Sequence, residues 1–211
     1  MKYYAVAKGR KTGIFTTWDE CKTQVIGFSG AKFKSFQTRE EAEKFIGNGK
    51  KKYAVINNTD FDADSIKDEE KVFAYVDGSY VPGFYGSGII MINLDGEEVS
   101  TLSCKGSEPP YLEMNNVGGE VNASMIAVKS AISMGYKLIR IHYDYAGIEC
   151  WATGEWKRNK EGTKAYKKFI DENSKDIIIE FKKVKAHAGN KYNEIADDLA
   201  KQAVGIYWLI S

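Results

Sequence analysis

The chain has 211 residues, 43% hydrophobic and 13% aromatic, which is enough apolar surface for one medium domain plus a small one and argues against a largely disordered chain. The formal net charge of +1 hides an uneven distribution: residues 1–50 carry ten Lys/Arg against five Asp/Glu, and residues 56–70 carry six acids against one lysine. Cysteines at 21, 104 and 150 lack paired or metal-ligand spacing, Lys8, Arg10 and Lys11 interrupt any signal-peptide run, and no stretch approaches the roughly 18 apolar residues of a membrane span, so a cytoplasmic protein is expected.

Tyr3 to Lys8 is rich in strand formers, Gly9 to Gly13 is a basic turn, and Ile14 to Thr17 is a second short strand. Thr17 and Glu20 have capping-box spacing, which predicts a helix running to about Phe28 before Gly27, Ser29 and Gly30 stop it. Ala31 to Phe36 alternates basic and aromatic residues as a third strand, and Thr38 to Ile46 is a second capped helix. Residues 1–50 therefore read as a small β-β-α-β-α domain. Lys52 to Ile56 is strand-like but fits either neighbour. The acidic stretch from Asn57 to Glu70 has no apolar pattern, so 51–70 reads as a linker.

Residues 71–206 form the second predicted domain, with 207–211 as a tail. Lys71 to Asp77 is a strongly apolar strand, Phe84 to Asn93 a second, and Glu98 to Cys104 its mate across the turn at Asp95-Gly96. Pro109-Pro110 breaks the chain. Val121, Met125, Val128 and Ile132 recur at helical spacing up to Met134, and Gly135 ends the run. A strand at Leu138 to Tyr143, a helix at Thr163 to Glu172, a strand at Ile177 to Phe181 and a helix at Asn193 to Val204 complete the pattern. The fold class is α/β: a mixed five-stranded sheet flanked by helices, preceded by the small domain.

Four carboxylates sit at transitions. Asp77 and Asp144 end apolar strands, Glu120 follows Gly118-Gly119 ahead of the long apolar stripe, and Asp197 lies between Ile195 and Leu199. Parallel pairing of the strands carrying Asp77 and Asp144 would bring both acids to one sheet edge, where the two helical acids could close over them. Four clustered acids oppose one another's ionisation unless cations relieve them, and carboxylate oxygens suit Mg²⁺ or Mn²⁺. Two such ions about 3.5–4 Å apart can activate water and stabilise a leaving oxygen in phosphodiester cleavage. Taken singly, each acid reads equally well as a turn or surface residue; their joint placement carries the argument. His142, inside a strand, reads as structural.

Tyr75-Val76-Asp77-Gly78-Ser79, Gly118-Gly119-Glu120, Tyr143-Asp144, Val184-Lys185-Ala186-His187-Ala188-Gly189-Asn190 and Asn193-Glu194-Ile195-Ala196-Asp197 together resemble the signature of the type 1 ribonuclease H family, over roughly residues 71–205. The resemblance implies endonucleolytic hydrolysis of the RNA strand of RNA–DNA hybrids by two Mg²⁺, with Mn²⁺ as a possible substitute, leaving 5′-phosphate and 3′-hydroxyl ends. It makes Asp77, Glu120, Asp144 and Asp197 the metal ligands, with Asp77 shared by both ions and Asp197 more peripheral. His187 would be a mobile histidine that assists proton transfer or product release. Spacing from His187 selects Asp197 over Asp198. Asn115 and Asn116, near Glu120, are candidates for sensing the 2′-hydroxyls in the minor groove.

Trp18, Lys32, Phe33 and Lys34 pair planar side chains with positive charge, which suits stacking and phosphate contact. A plainer reading makes Trp18 and Phe33 half the core of a very small domain. Residues 1–46 resemble the N-terminal hybrid-binding domain of cellular type 1 ribonucleases H, related to a viral inclusion-body protein segment. The matching stretches are Tyr3-Tyr4-Ala5-Val6, Gly9 to Gly13, Thr17 to Cys21 and Ala31 to Phe36. The resemblance implies that Trp18 and Phe33 face the DNA strand and Lys34 its backbone. A second family lysine falls at Ser35, and the basic helical insertion of some relatives has no room between Trp156 and Gly162. The expected partner is an RNA–DNA hybrid, with no membrane and no obligate protein partner. A non-catalytic hybrid-binding protein and a DNA-processing nuclease on the same scaffold are the alternatives.

Overall fold

The computed structural model describes residues 2–46, 54–185 and 189–206, apart from the side chains at 40, 43 and 44. Residues 51–53, His187 and the 207–211 tail lie outside the described residues. Two units are distinguished, Met1–Lys52 and Tyr53–Ser211.

In the first unit, strand formers and turn glycines give β1 (Tyr3–Lys8), flanked antiparallel by β2 (Gly13–Phe15) and β3 (Lys32–Phe36). The Thr17 hydroxyl accepts the Glu20 N–H at 3.4 Å and starts α1 (Trp18–Val25), as the capping spacing predicts. Arg10 donates to the carbonyls of Thr23 (3.0 Å) and Ile26 (2.7 Å), and α1 ends three residues short of the predicted Phe28. Thr38 caps α2 (Arg39–Ile46) through the Glu41 N–H. Val6, Cys21 and Val25 form the core, edged by Tyr4, Phe15 and Ala31.

The second unit carries a sheet of order β4-β9-β8-β5-β6-β7. Here β4 is Ala54–Ile56, β5 Lys71–Val81, β6 Phe84–Ile92, β7 Glu98–Gly106, β8 Leu138–Tyr143 and β9 Ile178–Lys183. β5, β6 and β7 form an antiparallel meander, β8 and β9 add in parallel, and β4 closes the edge antiparallel to β9. The sheet thus has six strands where the sequence suggests five, because the short apolar run Ala54-Val55-Ile56 finds a free edge. That strand falls inside the presumed linker. Residues after β4 are docked as well: Ile66 is buried with Leu138 and Ile178, and Asn58 bonds Ser174 through both its backbone and its side chain.

The helices are α3 (Pro109–Leu112), α4 (Asn116–Ser133), α5 (Gly147–Thr153), α6 (Glu161–Asn173) and α7 (Lys191–Ala203). Side chains alternate across a strand, so β5 and β6 serve two layers. Val72, Ala74, Val76, Ile89 and Met91 pack in the main core with Val121, Ala127 and Val128 of α4; Phe73, Tyr75, Ile90 and Ile92 meet Tyr192, Ile195 and Ala196 of α7. Two short helices, α3 and α5, escape a periodicity reading. α3 forms where the prolines suggest only a break, because Pro is compatible with a first helical turn. No helix among the described residues is long and apolar enough to cross a membrane.

Candidate active site

Parallel pairing of β5 with β8 runs from Lys71↔Leu138 to Tyr75↔His142. Two residues further on, the chains carry Asp77 and Asp144 side by side at one end of the parallel pair. Asp77 does not end its strand: β5 continues to Val81 because β6 pairs with it from Phe73 to Val81, while β8 stops at Tyr143.

Glu120 approaches from α4. The helix begins at Asn116, five residues before the apolar stripe, and its first turn lies against β5 and β6 where side chains are missing. A Cβ on Gly78 would strike the backbone of Asn116 and Glu120; one on Gly119 would strike Gly86. Glu120 is only 4% exposed, and burial, then the negative charges of Asp144 and Asp77, hold its carboxyl well above the usual range. The Tyr145 N–H, 3.4 Å from its Oε1, pulls the other way. Asp77 is pushed up to about 7, chiefly by burial and further by Asp144 and Asp197, against the Gly78 N–H (2.7 Å) and Lys201. From α7, Asp197 is held by Lys201 at 2.5 Å. Asp197, not Asp198, is the α7 acid that acts on Asp77.

Asp77 thus senses the charges of Asp144 and Asp197, and Glu120 those of Asp144 and Asp77, so the four acids share one neighbourhood. Among the described residues no three Asp, Glu, His or Cys side chains already stand as a cage for a metal ion. The donor set still fits a hard divalent cation, since it offers carboxylate oxygens, and for Asp77 and Glu120 burial and neighbouring acids oppose ionisation in its absence. His142 takes no part. It stacks on Tyr75 at 4.2 Å and is pushed down to about 3, first by burial and then by Lys182 and Arg140.

Asn115 lies exposed in the turn between α3 and α4, and Asn116, exposed too, is the first residue of α4. Asn115 has φ 56°, the only non-glycine with positive φ among the described residues. Such strain concentrates at functional sites. Beside this turn, Tyr145, Trp151 and Trp156 bring their rings together with centroids 5.7–6.2 Å apart. A cavity of about 310 Å³ opens there between Met114, Val117, Tyr145, Trp151 and Thr163, rimmed by Lys157, Asn159 and Lys160. In the sequence this loop stands out only for the insertion it lacks; two tryptophans among three cations are the available signal.

In the first unit, Trp18 and Phe33 are 41% and 44% exposed, and Lys32 and Lys34 are exposed too. The rings of Tyr4, Trp18 and Phe33 form a row at 5.8 Å intervals. The core belongs to Val6, Cys21 and Val25 with Tyr4 at its edge, so Trp18 and Phe33 form a surface platform and not half of the interior.

Residues 69–205 match the family model for RNase H, and residues 2–46 match that for the ribonuclease H1 N-terminal domain. The chain belongs to the RNase H family. It is 26% identical to the human protein ribonuclease H1 over an alignment covering 95% of this chain and 88% of that protein. The N-terminal unit is similar to part of a yeast (Saccharomyces cerevisiae) ribonuclease H, 56% identical over 45 residues, which is 21% of this chain and only 13% of the yeast protein. In fold, the chain resembles the crystal structure of RNase H1 from the archaeon Halobacterium salinarum, with a TM-score of 0.54 and 23% identity over 64% of this chain and 97% of that one. The RNase H match contains all four acids and the Asn115–Asn116 turn; the N-terminal match contains Trp18, Lys32, Phe33 and Lys34.

Proposed function

We propose that this chain is a metal-dependent endoribonuclease that hydrolyses the RNA strand of RNA–DNA hybrids, leaving 5′-phosphate and 3′-hydroxyl ends. The observation that carries the reading is the convergence of acids spread over 120 residues of sequence: Asp77 beside Asp144 at the end of the β5–β8 pair, with Glu120 of α4 and Asp197 of α7 close enough to act on Asp77 or be acted on by it. Acids buried among acids are costly to ionise, and bound cations offset that cost. These four side chains would hold two Mg²⁺, or Mn²⁺ in their place. When bound, such ions lower the pKa of an attacking water and polarise the phosphodiester oxygens.

The remaining roles fall to the protein's own groups. Asp77, between Asp144 and Asp197 in its interactions, anchors the set, and Asp197 on α7 is its outer member. The exposed amides of Asn115 and Asn116 read the 2′-hydroxyls of the RNA strand from the minor groove. His187 shuttles a proton or eases product departure. Tyr145, Trp151, Lys157 and Lys160 hold the duplex near the acids, a combination of flat rings and cations suited to sugars and phosphates. Trp18 and Phe33 stack against the DNA strand while Lys32 and Lys34 contact phosphates, so the first unit adds affinity. Three unpaired cysteines suit work in the reducing cytoplasm.

The deciding experiment offers the purified chain labelled hybrid, duplex RNA, duplex DNA and single strands, each with Mg²⁺, Mn²⁺ or chelator, beside Asp77→Asn. Cutting confined to RNA paired with DNA, dependent on metal and abolished by the substitution, is the expected result. Tight hybrid binding without cutting would favour a pure binding protein, and cutting of duplex DNA a DNA-processing nuclease.

A further inference from the structure

The first turn of α4 is fixed to the sheet by a polar clasp that no catalytic role requires. Ser87, fully buried on β6, donates its hydroxyl to the carbonyl of Gly119 at 2.8 Å, and Asn122, one turn along α4, donates its side-chain N–H to the Ser87 oxygen at 3.1 Å. Ser87 pairs across the sheet with Gly78, the residue after Asp77. The clasp therefore touches the neighbours in sequence of both Asp77 and Glu120.

A buried hydroxyl costs stability unless it is bonded, and an alanine would fill this strand position without that demand. β6 is otherwise apolar here, from Ile89 to Ile92. Around the clasp α4 rests on backbone: Gly78 and Gly119 leave no side chain between the first turn of α4 and β5 or the Gly86 carbonyl of β6, and so nothing to stop α4 from sliding along them. Close backbone approach without interlocking side chains sets a distance but not a register. The Ser87 hydroxyl supplies a fixed point one residue before Glu120, whose carboxylate meets the backbone N–H groups of Tyr145 and Asp144 and the charges of Asp144 and Asp77.

We infer that Ser87, backed by Asn122, is a positioning residue for Glu120: it sets the register of α4 against β5 and β6 and so the place of the Glu120 carboxylate beside Asp77. The inference rests on the proposed reading of Glu120 as a metal ligand. Groups that orient ligands from behind typically change metal affinity or activity by about 10- to 100-fold when removed.

The test uses the full chain as wild type, Ser87→Ala and Asn122→Ala. Mn²⁺ binding without substrate is followed by calorimetry, hybrid cleavage by kcat and KM, and folding by melting in chelator. Ser87→Ala is expected to bind Mn²⁺ about tenfold more weakly and to lose kcat by about the same factor, with KM for hybrid within about twofold. Asn122→Ala should move in the same direction by less. Unchanged Mn²⁺ affinity and kcat in a folded Ser87→Ala would overturn the inference, whatever its melting temperature. Should Ser87→Ala not fold, Asn122→Ala decides by the same two readouts. A wild type that neither binds Mn²⁺ nor cuts hybrid would instead remove the functional reading on which the inference stands.

Discussion

Lys201 Nζ lies 2.5 Å from Asp197 Oδ2, one helical turn away on α7, and its charge is felt by Asp77 as well. The lysine thus occupies with its own cation part of the field in which divalent ions are proposed to bind. Lys201→Met should lower the melting temperature of the metal-free chain, because the acids lose a positive neighbour. The same change should tighten Mn²⁺ binding at pH 8 by about two- to fivefold, the equivalent of a partly exposed ion pair. Calorimetric titration of both proteins checks this; weaker binding in Lys201→Met would show that the lysine assists the ions and does not compete with them.

The raised acids predict an inverted pH dependence of stability in chelator. An ordinary Asp releases its proton near 3.9, whereas folded Asp77 holds it to about 7. Between those values the folded chain binds more protons than the unfolded chain, so stability falls as pH rises from about 4 to 7 and is restored as pH drops. Glu120 pushes in the same direction. Divalent ions compete for the same oxygens, so Mn²⁺ affinity should climb across that window and level off above it. Asp77→Asn should flatten its share of the pH slope and melt higher than wild type at pH 8 in chelator. Melting curves from pH 5 to 8 measure both, and identical slopes for the two proteins would contradict burial as the cause.

The exposed rings of Trp18 and Phe33, which continue from half-buried Tyr4, separate binding from folding in the first unit. Trp18→Ala and Phe33→Ala remove surface rings, so melting should shift little. Hybrid affinity, measured in an Asp77→Asn background to prevent cutting, should fall by about 5- to 150-fold for each, since stacking of one base on one ring contributes about 1–3 kcal/mol. Lys34→Ala should weaken binding less and reduce the slope of log affinity against log salt by about one. A large loss of stability with unchanged affinity would return the two rings to the core.

The acids are legible in sequence because regular structure places them: an apolar strand announces where it delivers Asp77 and Asp144, and the motif spacing from His187 points to Asp197 over its neighbour. What escapes has no period. β4 is three residues long, and its pairing with β9 sets Val55 opposite Glu180, 125 positions further along the chain. Ser87 reads as one polar residue in an apolar strand, and only the approach of Gly119 gives its hydroxyl a purpose. The positive-φ turn at Asn115 is equally silent, since an Asn-Asn pair fits many turns. Tyr145, Trp151 and Trp156 converge from a loop and a short helix, where spacing in sequence says little about spacing in space.

Gly78 gives the sharpest test of how the site is built. Its missing side chain lets the backbone of Asn116 and Glu120 come within contact of β5, and a Cβ there would collide with backbone, which cannot swing aside. Gly78→Ala must therefore push α4 off the strand. Overpacking of this kind costs about 1–3 kcal/mol, or several degrees of melting temperature in a chain of this size. The comparison is Gly83→Ala in the β5–β6 turn: there φ is +91° and nothing lies near the added Cβ, so the change costs conformational strain of about 1–2 kcal/mol and leaves α4 in place. Both variants should melt lower than wild type. Gly78→Ala alone should lose Mn²⁺ affinity and hybrid cleavage, because only there is Glu120 displaced from Asp77; equal losses of metal affinity in the two variants would mean that the register of α4 does not govern the carboxylate site.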